Sequence, residues 1–261
     1  MRICPLSSGS SGNSAYVEAG DTRLLIDAGL SCRRLCALLN EIGVRPETLN
    51  AICVTHEHID HVRGIALLSK KYDIPIYANT ACHRSMYDRL AALPRSSIRI
   101  FESDEPFYIG KVELLPFTIP HDAAHAVGFR ISHNRHLLTV MTDVGYIDER
   151  IFGLVEGSSC VLLEANHDVD MLMAGCYPPD LKQRILSPLG HLCNEDCARA
   201  VVRLAQRGLK TVLLGHLSDE NNFPSLALRT VEAALSEAGL ADEVVIEVAR
   251  RDAPTGFFEV A

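Results

Sequence analysis

Residues 55–61 read Thr-His-Glu-His-Ile-Asp-His and directly follow the short apolar run of residues 51–54. We predict that this run is a buried β-strand, because short β-branched runs are typical of such strands. His56 and His58 are two residues apart, so their side chains point the same way in extended geometry. Asp60 and His61 can fold back beside them where a helix begins. Four ligand-type side chains within six residues can hold two neighbouring cations, so the stretch predicts a metal site.

More residues of the types that bind metals stand at the ends of other apolar runs. They are Asp27, His121, Asp143, Glu164 and His216. Strand ends converge on one edge of a sheet, which is where layered α/β proteins place their sites. A single such residue is often only a turn former or a polar cap. Several of them, each of a suitable chemical type, indicate one shared site.

The rest of the chain alternates strand and helix patterns, which predicts a layered α/β protein. The predicted strands cover residues 24–26, 51–54, 74–78, 112–116, 137–141, 161–163, 211–214 and 244–248, and the helical patterns cover 31–43, 194–208 and 224–239. Several strands follow one another between residues 98 and 141 without a long helix, so we expect mixed sheets covered by helices. No repeat or linker divides the sequence, and we predict a single domain over residues 1–261.

Composition excludes several classes of protein. The 261 residues are 48% hydrophobic, which is enough for a full core, and the formal net charge of −8 argues against a broad basic surface for nucleic acid. The nine cysteines form no Cys-x-x-Cys pair, which fits a reducing compartment better than a disulfide framework. No apolar run is long enough to span a bilayer, and the first residues do not resemble a leader peptide. We therefore expect a soluble cytoplasmic protein.

With these motifs, the chain resembles the metallo-β-lactamase fold superfamily of dinuclear metallohydrolases. The matching motifs are Asp27, His56-x-His58-x-Asp60-His61, His121, Asp143 and His216. Residues 6–14, 120–124, 163–168 and 214–218 are similar to the branch of this superfamily called YycJ, WalJ or VicX. The resemblance implies an αββα sandwich of two mixed sheets with the metals at one edge. It also implies a nuclease-like hydrolase acting on DNA, as a 5′ to 3′ exonuclease.

The same resemblance implies two sets of metal ligands. One metal would be held by His56, His58 and His121, the other by Asp60, His61 and His216, with Asp143 bridging them. Asp27 would orient a ligand without binding metal. Imidazole and carboxylate ligands suit Zn, Mn or Fe, and the sequence does not choose among these. Two such ions about 3.5 to 4 Å apart can bridge a water and convert it to a hydroxide nucleophile.

Beyond the ligands, the resemblance implies catalytic roles for two further residues. His191 precedes a predicted helix, as does a non-ligand histidine of the tRNA 3′-processing nucleases, and we predict that it contacts phosphate or acts as general acid. Glu164 would hold its tautomer, and Asp60 is counted among the catalytic residues as well as the ligands. The alternative for His191 is a helix-entry residue without chemistry.

Four further residues are predicted substrate contacts. Lys182 and Arg184, in a predicted loop before His191, could contact phosphates, and the glycine- and serine-rich loop with Ser11 and Asn13 could bind an anion. Plain solvation of the two charges and a hairpin tip are the alternatives.

Three function classes stay open from the sequence. The leading hypothesis is a phosphodiesterase or nuclease of the YycJ type, whose substrate is DNA or another phosphodiester and which needs no membrane or obligate protein partner. The alternative enzyme is a thioester or lactone hydrolase of the glyoxalase II-like type, which uses nearly the same ligands. A binding module without catalysis is the third, although it would not need seven intact ligands.

Overall fold

The computed structural model describes residues 1–260 and builds them into two β-sheets with helices on both outer sides. The strands are β1 Arg2–Ser7, β2 Ser14–Ala19, β3 Thr22–Ile26, β4 Ala51–Cys53, β5 Ile76–Ala78, β6 Ile98–Ile100, β7 Phe107–Ile109, β8 Val112–Thr118, β9 Val127–His133, β10 His136–Met141, β11 Cys160–Glu164, β12 Thr211–Gly215, β13 Val245–Val248 and β14 Phe258–Glu259. The first sheet has the order β14-β1-β2-β3-β4-β5-β6, and the second has the order β13-β12-β11-β10-β9-β8-β7. All eight predicted strands are confirmed.

Helices fill the connections between the parallel strands. They are α1 Cys32–Glu41, α2 Ile59–Val62, α3 Ile65–Tyr72, α4 Thr80–Ser85, α5 Tyr87–Leu90, α6 Glu149–Val155, α7 Val169–Ala174, α8 Pro179–Ile185, α9 Asn194–Ala205 and α10 Pro224–Glu237. The three predicted helices are α1, α9 and α10. Ser31 caps α1 by accepting a hydrogen bond from the Arg34 amide, and Pro224 starts α10, where its missing N–H is no loss. The loop predicted around Lys182 is wrong, because residues 179–185 form α8, which also opens on a proline.

Both sheets are mixed, as expected. In the first sheet, β1, β2 and β3 pair antiparallel and β3 to β6 pair parallel. In the second, β7 to β10 pair antiparallel and β10 to β13 pair parallel. Because β8 and β10 are both antiparallel to β9, their C-terminal ends lie at the same edge. The strands that precede the predicted site residues therefore end on one side of the molecule.

Three apolar cores separate the layers. One lies between the two sheets and includes Ile3 and Leu24 of the first and Val127 and Leu213 of the second. A second joins the outer face of the first sheet to α1 and α3, and a third joins the outer face of the second sheet to α6, α9 and α10. The layers are thus helix, sheet, sheet and helix, which confirms the predicted αββα sandwich. That residues 1–261 form a single domain stays a prediction.

The helices also bear on membrane insertion. Among residues 1–260, none combines the length and the apolar composition that a crossing of the bilayer requires.

Candidate metal centre

The centre is built from residues that stand just after strand ends. Asp27 follows β3, Asp143 follows β10 and His216 follows β12, and all three have a left-handed backbone, with φ of 60°, 58° and 53°. Residues with a Cβ rarely adopt this conformation, which costs about 1 kcal/mol or more for each. It turns the chain sharply at the sheet edge, so that each carboxylate or imidazole enters the centre. Ser8 supports His216 by accepting a 2.8 Å hydrogen bond from its amide.

Two groups of three ligand-type side chains meet there. In each group the ligand atoms lie within 4.8 Å of one another; the first is His56, His58 and His121, and the second is Asp60, His61 and His216. These are the two sets that the sequence resemblance implies. The close approach of residues 56–61 comes from α2, for which His58 is the N-terminal flanking residue and which carries both Asp60 and His61.

Asp143 lies between the two groups. Its Oδ2 is 3.1 Å from His61 Nε2 of the second group, and its Oδ1 is 3.7 Å from His121 Nε2 of the first. Its side chain is 3% exposed. Burial opposes ionisation, but the neighbouring His216 and His61 hold the pKa of Asp143 well below its ordinary value. A carboxylate that stays charged and faces both groups is suited to bridge two cations.

The residues fit divalent cations because several of their atoms lack any other partner. His56 Nε2, His216 Nε2 and Asp143 Oδ2 are buried and have no hydrogen-bond partner in residues 1–260. A buried polar atom without a partner is costly, and bound cations would satisfy all three. Burial and the nearby His61 also lower the pKa of His56 well below its ordinary value, which keeps the imidazole neutral and able to bind metal.

Asp27 holds one of the histidines in place. Its Oδ2 accepts hydrogen bonds from His61 Nδ1 and Thr55 Oγ1, and its Oδ1 accepts one from the Thr55 amide, all at 2.8 Å. With the Nδ1 proton committed, His61 Nε2 carries the free lone pair that faces Asp60 and Asp143. This contact is of the orienting kind predicted for Asp27.

Glu164 performs the same task for two histidines at once. Its Oε1 accepts from His191 Nδ1 at 2.8 Å and from His216 Nδ1 at 2.7 Å, while its Oε2 accepts from the amides of Val144 and Leu192. Burial opposes its ionisation, but His191 and His216 lower the pKa of Glu164 to about 2. Since both imidazoles give their Nδ1 protons to the same carboxylate, each presents Nε2 on its other side.

The centre opens into a cavity of about 260 Å³. His191 lines this cavity, together with Ser10, Tyr177 and Arg184. Burial opposes protonation of His191, but the Glu164 carboxylate raises its pKa above the ordinary value. An imidazole in this cavity that is held in one tautomer and gains a proton readily can act as an acid toward a bound group.

The four predicted substrate contacts fall in different places. Arg184 lines the cavity and forms an ion pair with Asp122. Ser11 is exposed, but the cavity is lined by its neighbour Ser10. Lys182 Nζ is turned away, because it donates to the carbonyls of Met173 and Gly175, both at 2.7 Å.

Asn13 is buried behind the second group of ligands. Its Nδ2 donates to Asp60 Oδ2 at 3.2 Å and lies 3.0 Å from His61 Nε2, while its Oδ1 accepts from the Gly9 amide. This placement suits a residue that orients Asp60 better than one that contacts substrate.

Sequence reasoning missed Asn166 and Tyr177. Asn166 Nδ2 donates to the His216 carbonyl at 2.9 Å, so it fixes the left-handed turn after β12. Tyr177 reaches the cavity from the segment between α7 and α8. A signal existed for Asn166, which stands two residues after Glu164 at the end of β11; Tyr177 lies in no motif that could have indicated it.

Comparisons with known proteins agree with this geometry. A family model described as beta-lactamase superfamily domain matches residues 22–216. The exodeoxyribonuclease WalJ of Streptococcus pneumoniae serotype 2 (strain D39) is 43% identical over 237 residues, which cover 90% of this chain and 88% of that protein. The exodeoxyribonuclease YycJ of Bacillus anthracis is 38% identical over 239 residues, which cover 92% and 90%. The crystal structure of the metallo-beta-lactamase fold protein YhfI from Bacillus subtilis superposes with a TM-score of 0.74 at 18% identity and covers 98% of both chains.

Proposed function

Because this chain belongs to the beta-lactamase superfamily, and its relatives at 38% and 43% identity are named exodeoxyribonucleases, we propose that it is a metal-dependent hydrolase that cleaves DNA from an end. One observation of the site carries the proposal. Two groups of three ligand-type side chains meet at the buried Asp143, directly beside the hydrogen-bonded pair of Glu164 and His191. The first part suits cation binding, and the second supplies an acid for a leaving oxygen.

The proposal requires two cations. His56, His58 and His121 would hold one and Asp60, His61 and His216 would hold the other, with Asp143 lying between the two groups. Zn, Mn and Fe all suit such ligands. When bound, divalent cations lower the pKa of a coordinated water toward roughly 7 and offset the charge that develops on phosphate oxygens.

The protein's own groups then position the substrate and move a proton. Glu164 fixes the Nδ1 proton of His191, so the Nε2 proton is the one available in the cavity. His191 donates this proton to the oxygen that leaves when the phosphodiester bond breaks, and the Glu164 carboxylate stabilises the imidazolium beforehand. Arg184 lines the same cavity, and we assign to it a contact with a non-bridging phosphate oxygen.

We also propose that the enzyme acts in the cytoplasm. All nine cysteines are free within the described residues, which suits a reducing cytoplasm, where DNA is the partner. The thioester or lactone alternative is not favoured, since the relatives that cover most of the chain at 38% or more identity are named exodeoxyribonucleases.

Digestion of an end-labelled linear DNA duplex tests the proposal. Purified protein is supplied with Mn or Zn, and the variant Asp143→Asn serves as the control for a contaminating nuclease. Cleavage by the parent and not by the variant is the expected result, and the label pattern gives the polarity. A parent that holds its metals and leaves the duplex intact would overturn the assignment.

A further inference from the structure

A second cavity, of about 570 Å³, opens beside the metal centre. Its walls are the segment of residues 217–228, after β12, and the segment of residues 247–251, at the end of β13. We call it the side cavity. Its volume is in the range of cavities that bind small organic ligands, and no contact of the proposed mechanism uses it.

The side cavity adjoins the metal centre. Ser218 lines both cavities, and Ser8 lines the side cavity while its Oγ accepts the hydrogen bond from the His216 amide at 2.8 Å. The backbone of Arg250 is joined to the same loop, since its carbonyl accepts from the Ser8 amide at 3.1 Å. A chain molecule with one group at the centre can therefore place its next group in the side cavity.

An aromatic ring stands in the wall of this cavity. Phe223 precedes α10 and is 42% exposed, although its neighbours Asn221 and Asn222 are buried. A large apolar ring left in contact with water beside polar groups offers a face for stacking. DNA bases stack on such rings regardless of sequence.

Two arginines, Arg250 and Arg251, also line the cavity. The Arg251 guanidinium is fixed, since it donates to the Leu217 carbonyl at 3.0 Å and lies 3.3 Å from Asp219 Oδ1. Arg250 is exposed and takes part in no ion pair within the part of the chain that the structure describes. Asp219 and Glu247 also line the cavity, so its positive charge is local to the arginines. A phosphate can be held there without a broad basic surface.

We propose that the side cavity binds one nucleotide unit of the DNA strand, adjacent to the phosphodiester at the metal centre, with its base on Phe223 and its phosphate at Arg250. The inference rests on the proposed function, because it takes the substrate to be a DNA strand. It also explains how a protein with a formal net charge of −8 can hold DNA. Stacking and a few local contacts replace the electrostatic attraction on which most DNA-binding proteins depend.

Binding of a nuclease-resistant oligonucleotide tests the cavity without turnover. The probe is a phosphorothioate-linked decathymidylate with a terminal fluorescein, and anisotropy is measured with the protein as purified. Phe223→Ala should weaken binding about tenfold, as expected for the loss of one stacked base, and Phe223→Trp should restore it. Arg250→Gln should weaken it several-fold. The matched controls Tyr87→Ala and Arg33→Gln, exposed residues elsewhere on the surface, should bind like the parent.

Two results would overturn the inference: a parent that does not bind the probe, and a Phe223→Ala variant that unfolds at the parent's temperature and binds with the parent's affinity. Cleavage is measured separately, so the two proposals fail in different ways. If the parent protein does not cleave the duplex, the nuclease proposal is refuted. If the parent cleaves the duplex and Phe223→Ala binds the probe as the parent does, only the side-cavity proposal is refuted.

Discussion

Replacing Asp27 with asparagine should weaken metal binding without changing the fold. The carboxylate accepts three hydrogen bonds at 2.8 Å, two from Thr55 and one from His61 Nδ1. The amide of asparagine has one acceptor oxygen, so it cannot serve both the Thr55 amide and His61. Either a buried N–H loses its partner, which costs about 1 to 3 kcal/mol of unfolding free energy, or His61 moves its proton to Nε2 and loses its free lone pair there.

The expected loss of metal affinity is about 10- to 100-fold, as is usual when the partner of a ligating histidine is removed. A competition titration with a chromophoric chelator measures it, and urea unfolding of the chelated protein gives the change in stability. Asp73→Asn is the matched control, because Asp73 also has a left-handed backbone, with φ of 54°, but is exposed at the end of α3. If Asp27→Asn binds metal within twofold of the parent, Asp27 does not orient His61.

Three further predictions concern the centre and its surroundings. His58→Ala should lower both the metal content after dialysis, read by elemental analysis, and DNA turnover, and full content with full activity would contradict its place among the ligands. His191→Ala should keep the metals but slow phosphodiester cleavage about a hundredfold; an unchanged rate would leave His191 without a catalytic role. Burial lowers the pKa of His167 to about 4 from 6.5, so the unfolded chain takes up its proton first. Above pH 6.5, His167 should therefore not reduce the free energy of unfolding. As the pH is lowered toward 4, its effect should reduce that free energy by up to about 3 kcal/mol. Urea unfolding of His167→Leu should lack that part of the decline, and an identical pH profile would show that His167 does not cause it.

Local sequence patterns predicted most of the fold. The parallel strands at the centre of each sheet are continuous apolar runs, so β4, β11 and β12 are readable directly from the sequence. The strands β1 and β2 are not, because Pro5 and the glycine- and serine-rich turn between them resemble a loop. Their pairing with the rest of the sheet is a tertiary contact that no local pattern carries.

The candidate centre and the side cavity also differ in how much of each the local sequence indicates. Residues 55–61 stand out in the sequence because four ligand-type side chains fall within six residues. Phe223 and Arg251 do not, because each is an ordinary residue until the folded loops bring it beside Ser8 and Ser218. The roles of Lys182 and Arg184 also depended on side-chain direction, which the sequence does not contain. The Lys182 side chain points to backbone carbonyls, and the Arg184 side chain lines the cavity.

The three left-handed residues at the strand ends have a consequence for engineering. Glycine would relieve the backbone at positions 27, 143 and 216, but at 27 and 143 it would also remove a buried carboxylate, and at 27 it would leave the Thr55 amide and His61 Nδ1 without their acceptor. In the metal-free chain the relief of backbone strain and the loss of these contacts therefore oppose each other, and each change removes a group of the centre. Library designs should hold all three fixed and look for stabilising changes elsewhere.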